Sequence, residues 1–226
     1  LIDPMGSGEP STKKVQIAYG FNKDGEACVW TYTGEERYIT EECKTGLYQE
    51  AGKHQFMIAI PASIILNDVE GKFSAGDELG LSILRWSGDA EGATNDWNGG
   101  LTWGAGIAPA LFTTVEGTNS VTLSEEPAVE TGSAKVNASQ FGKVPSFEKI
   151  TQDSWGEKTT VATATGRNCG LVDKTTEQYL KDMYMDLYLR WDADYLYIGV
   201  ETNELDSYMP CLGEGESWKG DALQFL

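Results

Sequence analysis

The chain has 226 residues, of which 40% are hydrophobic and 11% aromatic, and this composition excludes a disordered chain and suffices for one large or two small domains. Its net charge of −18, from 35 acidic and 17 basic residues, argues against nucleic acid and anionic membrane surfaces as partners, because both need clustered Lys and Arg. No apolar run reaches the roughly eighteen residues of a membrane span, so the sequence predicts no membrane insertion. The acidic surface is compatible with bound calcium or with solubility alone.

The first half of the chain predicts short strands separated by turns, because apolar and polar residues alternate between clusters of Gly, Asn, Asp and Pro. The opening LIDPMGSGEP has no signal-peptide pattern and resembles the interior of a longer sequence. The predicted elements are, in order, a strand at 15–19, a turn at 22–25, a return strand at 28–32, a polar, loop-rich stretch at 35–52, a strand at 54–60, a helical turn at 62–66, a strand at 79–86, a glycine-rich loop at 87–106, and strands at 109–115 and 121–123.

Residues 124–132, SEEPAVETG, are typical of a linker, and the second half contains the clearest hairpin of the chain. Leu187 and Leu189 alternate with polar neighbours, a turn follows at 192–194, and Ile198 and Val200 resume the apolar face. A strand is also expected at 159–165, a loop or short helix at 153–156, a short helix or excursion at 175–183, a loop at 203–216 and a last strand at 222–226. This pattern predicts an all-β fold, an antiparallel β-sandwich.

Four cysteines are present without the C-x-x-C spacing of a zinc site. Cys28 and Cys43 flank one predicted hairpin, and Cys169 and Cys211 bracket the central one. We expect two disulfides, as in an exported protein, with free buried thiols as the alternative; the connectivity does not follow from the sequence.

Several motifs resemble the signature of family 9 carbohydrate-binding modules. The hairpin DADYLYIGVETNE followed by SWKGDALQF is similar to the family pattern of a "D-x-x-x-L-Y" strand, a loop and "W-x-x-D-x-hydrophobic-E". FMIAIPASII and GDELGLSILR resemble two later strands of such modules, and SFEKITQDSWGEKT resembles their opening. In the family the order would be 133–226 followed by 1–123. Residues 1–123 are therefore expected to be the second part of a sandwich, and 133–226 the first part of the same or the next one.

The resemblance implies a jelly-roll-like, secreted sandwich that holds sugar between tryptophans, often with structural calcium. Trp218 matches the tryptophan that forms one wall of the family's sugar site, and Trp103 is the candidate for the second wall. Asp221 matches the motif's aspartate. Gln224 stands where the family has a glutamate, which loses a charge-assisted bond but keeps an acceptor and two donors. Met57 replaces another of the family's glutamates.

Seven tryptophans are many for this length. Trp30 and Trp191 lie on strand patterns and are expected in the core. Trp97, Trp103 and Trp218 lie in polar, glycine-rich segments, where they either bind a ligand or anchor loops. Calcium needs several converging oxygens, for which one candidate cluster is Asp89, Asn95 and Asp96, and a second is Asp192 with Asp194, which a turn equally explains.

An enzyme is not predicted, because the single histidine, His54, lies in a strand and no pair of carboxylates is singled out by its spacing. The first hypothesis is an extracellular or cell-surface, non-catalytic module that binds a saccharide through Trp218, Trp103, Gln224 and Trp97. The second is a structural repeat or subunit of a filament or surface layer. The sequence begins and ends within predicted strands, as a permuted chain, a repeat unit or a strand-exchanging subunit would, and contacts between copies follow from the last two.

Overall fold

The computed structural model describes ten stretches of the chain: residues 2–3, 15–32, 36–87, 99–104, 119–126, 135–163, 169–171, 183–203, 210–211 and 221–225. Within them the chain forms strands and two short helices. The strands are β1 (Ile2–Asp3), β2 (Gln16–Phe21), β3 (Ala27–Tyr32), β4 (Glu36–Tyr38), β5 (Lys44–Glu50), β6 (Lys53–Pro61), β7 (Glu78–Leu81), β8 (Ile83–Ser87), β9 (Gly99–Trp103), β10 (Asn119–Ser124), β11 (Lys135–Gln140), β12 (Thr160–Thr163), β13 (Cys169–Leu171), β14 (Tyr184–Trp191), β15 (Tyr195–Asn203) and β16 (Ala222–Phe225). The helices are α1 (Ala62–Ile65) and α2 (Gln152–Trp155).

The strands form two sheets that pack face to face, which confirms the predicted β-sandwich. The larger sheet has the order β1-β7-β10-β11-β14-β15-β6-β5, with β12 added beside β14. The smaller sheet has the order β13-β9-β8-β16-β2-β3-β4. The larger sheet is mixed rather than wholly antiparallel, because β11 runs parallel to both of its neighbours, β10 and β14. The main hydrophobic core lies between the two inner faces.

The predicted hairpin is β14–β15, and it lies at the centre of the larger sheet. Its register places Leu187 opposite Val200 and Leu189 opposite Ile198, and all four side chains are buried in the core. Asp192 makes the turn, since its Oδ1 accepts hydrogen bonds from the backbone N–H groups of residues 194 and 195 at 2.8 and 2.9 Å. This arrangement confirms the turn that the sequence predicts at 192–194.

Three predicted boundaries are wrong. The stretch predicted as one strand at 79–86 is interrupted at Ser82, where the chain leaves the larger sheet as β7 and enters the smaller one as β8. The polar stretch 35–52 contains the edge strands β4 and β5, and the glycine-rich stretch 87–106 contains β9. Edge strands bury only part of each side chain, so their sequences lack a strong apolar pattern. Residues 109–115 and 175–182 lie outside the described residues.

Strands from both sides of the predicted linker contribute to both sheets. In the larger sheet β14 and β15, from the second half, lie between β11 and β6. In the smaller sheet β16 lies between β8 and β2, which come from the first half. The two predicted parts therefore build a single sandwich here. β1 and β16 lie in different sheets.

The outer face of the larger sheet is covered by residues 146–155. Ile150 and Trp155 pack on Met57 and Tyr197 in a second hydrophobic cluster. Gly199 permits this approach, because a Cβ at this position would come within 3.1 Å of both Ile150 and Trp155. Met57 is fully buried by this cover, so its position does not line an open surface.

Tyr19 links the two sheets. Its ring lies in the core on the inner face of the smaller sheet, and its hydroxyl reaches the edge strand of the larger one. The hydroxyl oxygen lies 3.0 Å from the carbonyl oxygens of Gly46 and Met57, and 3.2 Å from the amide nitrogen of Gly46.

Candidate functional site

Most of the residues predicted to bind a ligand lie outside the described residues. These are Trp97 and Trp218 of the predicted sugar site and Asp89, Asn95 and Asp96 of the predicted calcium site. The described residues that flank their segments lie at one end of the sandwich: Ser87 is paired with Gly99 across the gap 88–98, and Asp221 directly follows the gap 212–220. The predictions for these five side chains stay predictions.

Trp103 does not form an open wall. It lies in β9, its side chain is 5% exposed, and it packs in the main core. A ring enclosed in this way offers no face on which a sugar can stack, so the structure assigns Trp103 a packing role and corrects the prediction. The sequence predicts a loop here because the segment is rich in glycine, whereas the structure has the short strand β9, which places Trp103 in the core.

Gln224 lies in β16, between Leu223 and Phe225, whose side chains are buried in the core. The register places Gln224 beside Ala18 of β2 on one side and Leu84 of β8 on the other.

The same row of positions continues across the sheet through two aromatic residues. Ala18 is opposite Trp30, and Trp30 is opposite Tyr38 of the edge strand β4. We call Gln224, Ala18, Trp30 and Tyr38 the aromatic row. Adjacent strands are about 4.8 Å apart, so the row spans roughly 14 Å across three strand intervals.

The aromatic row is open at its outer end. Tyr38 is 49% exposed and Trp30 is half-buried, whereas Ala18 and Leu84, on the two sides of Gln224, are fully buried. Trp30 lies outside the main core, so its prediction as a core residue is wrong, whereas the same prediction for Trp191 is confirmed. The alternation in β3 explains the difference, because Val29 and Thr31 occupy the inward positions on either side of Trp30.

Asp221, the residue matched to the aspartate of the family motif, is buried directly before β16, the strand that carries Gln224. It is 2% exposed, and its Oδ1 lies 3.9 Å from Nη2 of Arg85, which is itself fully buried. His54 lies in the same interior region, and burial, together with the positive charge of Arg85, lowers the pKa of His54 to about 4. All three groups are buried and do not offer a surface to a ligand.

The predicted disulfides are not formed by Cys28, Cys43 and Cys211, which are buried thiols. The side chain of Cys169 lies outside the described part of the structure. Cys28 and Cys43 lie on β3 and just before β5, two strands that belong to different sheets rather than to the hairpin that the sequence suggested. Burial, with a smaller contribution from Glu42, raises the pKa of the Cys43 thiol to about 12, so this thiol is unreactive at neutral pH.

Within the part of the chain that the structure describes, no group of three or more His, Cys, Asp or Glu side chains is placed to hold a metal ion. In the same part, no helix is long and apolar enough to cross a membrane. Comparisons of the chain with protein-family models, with curated proteins and with solved structures found no match.

Proposed function

We propose that the protein is a non-catalytic, extracellular or cell-surface module that binds a saccharide on the aromatic row. The observation that carries the proposal is the register that places Trp30 opposite Tyr38 at the open end of the row, with Tyr38 49% exposed. The C–H face of a pyranose ring is apolar and packs on an aromatic ring, while its hydroxyls need directional partners. The Tyr38 hydroxyl, at the open end of the row, is able to supply both a donor and an acceptor.

The net charge of −18 supports a neutral ligand over an anionic one. Trp218 and Trp97 remain predicted contacts, and a calcium ion at Asp89, Asn95 and Asp96 remains a proposed structural cofactor.

The test is a glycan-array screen of the purified protein with and without calcium, followed by calorimetric titration of the best ligand. Tyr38→Ala is expected to weaken binding by about tenfold, the loss of one aromatic contact of roughly 1.4 kcal/mol. Tyr195→Ala is the matched control, because it removes a half-buried tyrosine from the outer face of the other sheet. If both variants bind with the affinity of the parent protein, the aromatic row is not the binding site. If no glycan on the array binds, the proposed function is wrong.

Assembly into a filament or surface layer is the alternative, and one observation bears on it. β5 is an edge strand of the larger sheet, and an open edge invites pairing with another chain. Sedimentation velocity over a range of protein concentrations tests this alternative: a monomer throughout argues against assembly, and a growing series of oligomers argues for it.

A further inference from the structure

A concave surface lies at the side of the sandwich, where the chain passes from β4 in the smaller sheet to β5 in the larger one. We call it the side cleft. One wall carries Arg37 and Glu42, and the other carries Ser63, Asn67 and Asp68 at and after α1. Its volume is about 370 Å³, within the range of about 300–1,000 Å³ that is typical of small-molecule sites.

The polar groups of the side cleft have hydrogen-bonding capacity that the described part of the chain does not use. The Arg37 guanidinium has five N–H donors, and within the described residues it makes one side-chain hydrogen bond, from Nη1 to Oε1 of Glu42 at 2.8 Å. Asp68 accepts the backbone N–H of Glu70 through Oδ1 at 3.1 Å, and no bond to its Oδ2 is seen among those residues. The Ser63 hydroxyl likewise makes no hydrogen bond there. Donors and acceptors therefore face the same space from two walls.

The wall after α1 is fixed by its backbone. The amide of Asn67 donates to the carbonyl of Ile64 at 3.2 Å, and the amide of Asp68 donates to that of Ser63 at 3.0 Å. Asn67 has a φ of 51°, the left-handed conformation in which asparagine commonly ends a helix. A wall held in this way loses little conformational entropy when a ligand binds.

An apolar surface stands beside these polar groups. Val69 is 91% exposed at the rim of the side cleft, and Ile64 contributes a buried side chain to the lining. Glu42 and Asp68 outnumber Arg37, so the side cleft disfavours anions, as does the net charge of the whole chain. A neutral ligand with hydroxyls around an apolar C–H face meets all three features.

We infer that the side cleft is a second subsite for one neutral sugar unit, and this inference rests on the proposed function for its ligand class. The edge strand β4 connects the two sites, because Tyr38 lies on its outer face in the aromatic row and Arg37 is opposite the inward-facing Thr31. A saccharide chain that extends over this edge contacts Tyr38 with one unit and Arg37 with another. The side cleft therefore favours oligosaccharides over monosaccharides.

The inference is tested by two-dimensional amide NMR of the whole chain during titration with glucose, galactose, mannose and xylose, and with maltotriose and cellotriose. The amides of residues 63–69 report on the side cleft, and the indole N–H of Trp30 with the amide of Tyr38 reports on the aromatic row. Arg37→Gln and Asp68→Asn are each expected to weaken the response of residues 63–69 by about tenfold. Glu70→Gln makes the same change of charge as Asp68→Asn and is expected to leave that response unchanged, because Glu70 lies outside the lining.

The outcomes separate the two sites. A response at the aromatic row alone, or one at residues 63–69 that neither variant weakens, overturns the side cleft and leaves the proposed function standing. A response at residues 63–69 alone supports the side cleft and removes the aromatic row as the binding surface. If no sugar changes the NMR signals of either site, both proposals are overturned.

Discussion

Removal of the Tyr19 hydroxyl is expected to destabilise the sandwich, because this group joins the inner face of one sheet to the edge of the other. Tyr19→Phe keeps the ring in the core and removes only the oxygen. That oxygen accepts from the amide of Gly46 and donates its single proton to the carbonyl of Gly46 or of Met57, all three contacts being 3.0–3.2 Å long. The substitution therefore costs one donated and one accepted hydrogen bond in a buried region.

The size of the effect follows from the cost of a buried polar group without a partner, about 1–3 kcal/mol each. We expect the free energy of unfolding to fall by roughly 2–6 kcal/mol, measured by urea denaturation with tryptophan fluorescence. Tyr38→Phe is the matched control, because it removes the hydroxyl of a tyrosine that is 49% exposed. If the two variants differ by less than about 0.5 kcal/mol, the hydroxyl of Tyr19 does not couple the sheets.

Three further results are expected. Gly46→Ala should destabilise the fold strongly in the same urea assay, because a Cβ there would lie 1.9 Å from the carbonyl oxygen of Phe147. A variant as stable as the wild type would contradict the close packing of residues 146–155 on the larger sheet. NMR should show His54 titrating near pH 4 in the folded protein and near 6.5 in the unfolded protein. The unfolded state therefore binds more protons between these values, and the free energy of unfolding should fall by about 2 kcal/mol between pH 7 and 5. An equal fall in the His54→Gln variant would contradict this. Cys43 should resist iodoacetamide in the native protein at pH 8 and react after unfolding, as peptide mass spectrometry would show; rapid native labelling would mean that the thiol is accessible.

The sequence predicts the β-sandwich because its strongest signal, the alternation of Leu187 and Leu189 with polar residues, comes from strands at the centre of the larger sheet. Strands at the edges and at sheet changes are less predictable. The alternation of Leu79, Leu81 and Ile83 continues through Ser82, so only the packing of the two sheets shows that the chain changes layer there. The outer position of Trp30 also depends on the third dimension, since period two fixes which residues share a face but does not say which face is covered.

The candidate site is less predictable than the fold. Gln224 and Trp30 are 194 positions apart in the sequence, and they fall in one row only because β16 inserts beside β2. A resemblance carried by local motifs identifies Gln224 but has no means of pairing it with Trp30 or Tyr38. The side cleft is formed by residues that have no motif at all, because a hydrogen-bonding wall made of Ser63, Asn67 and Asp68 is also what an ordinary helix end looks like.

The interleaving of early and late strands determines how the chain acquires its structure during biosynthesis. β6 pairs with β15 in a register that places Ile58 opposite Ile198, so one of its two edges has no partner until most of the chain has been made. Such distant pairing folds slowly and leaves apolar strands open to aggregation on the ribosome. The chain is therefore expected to depend on chaperones while it is synthesised. Residues 1–123 and 133–226 expressed separately should aggregate, whereas their co-expression should restore a soluble complex.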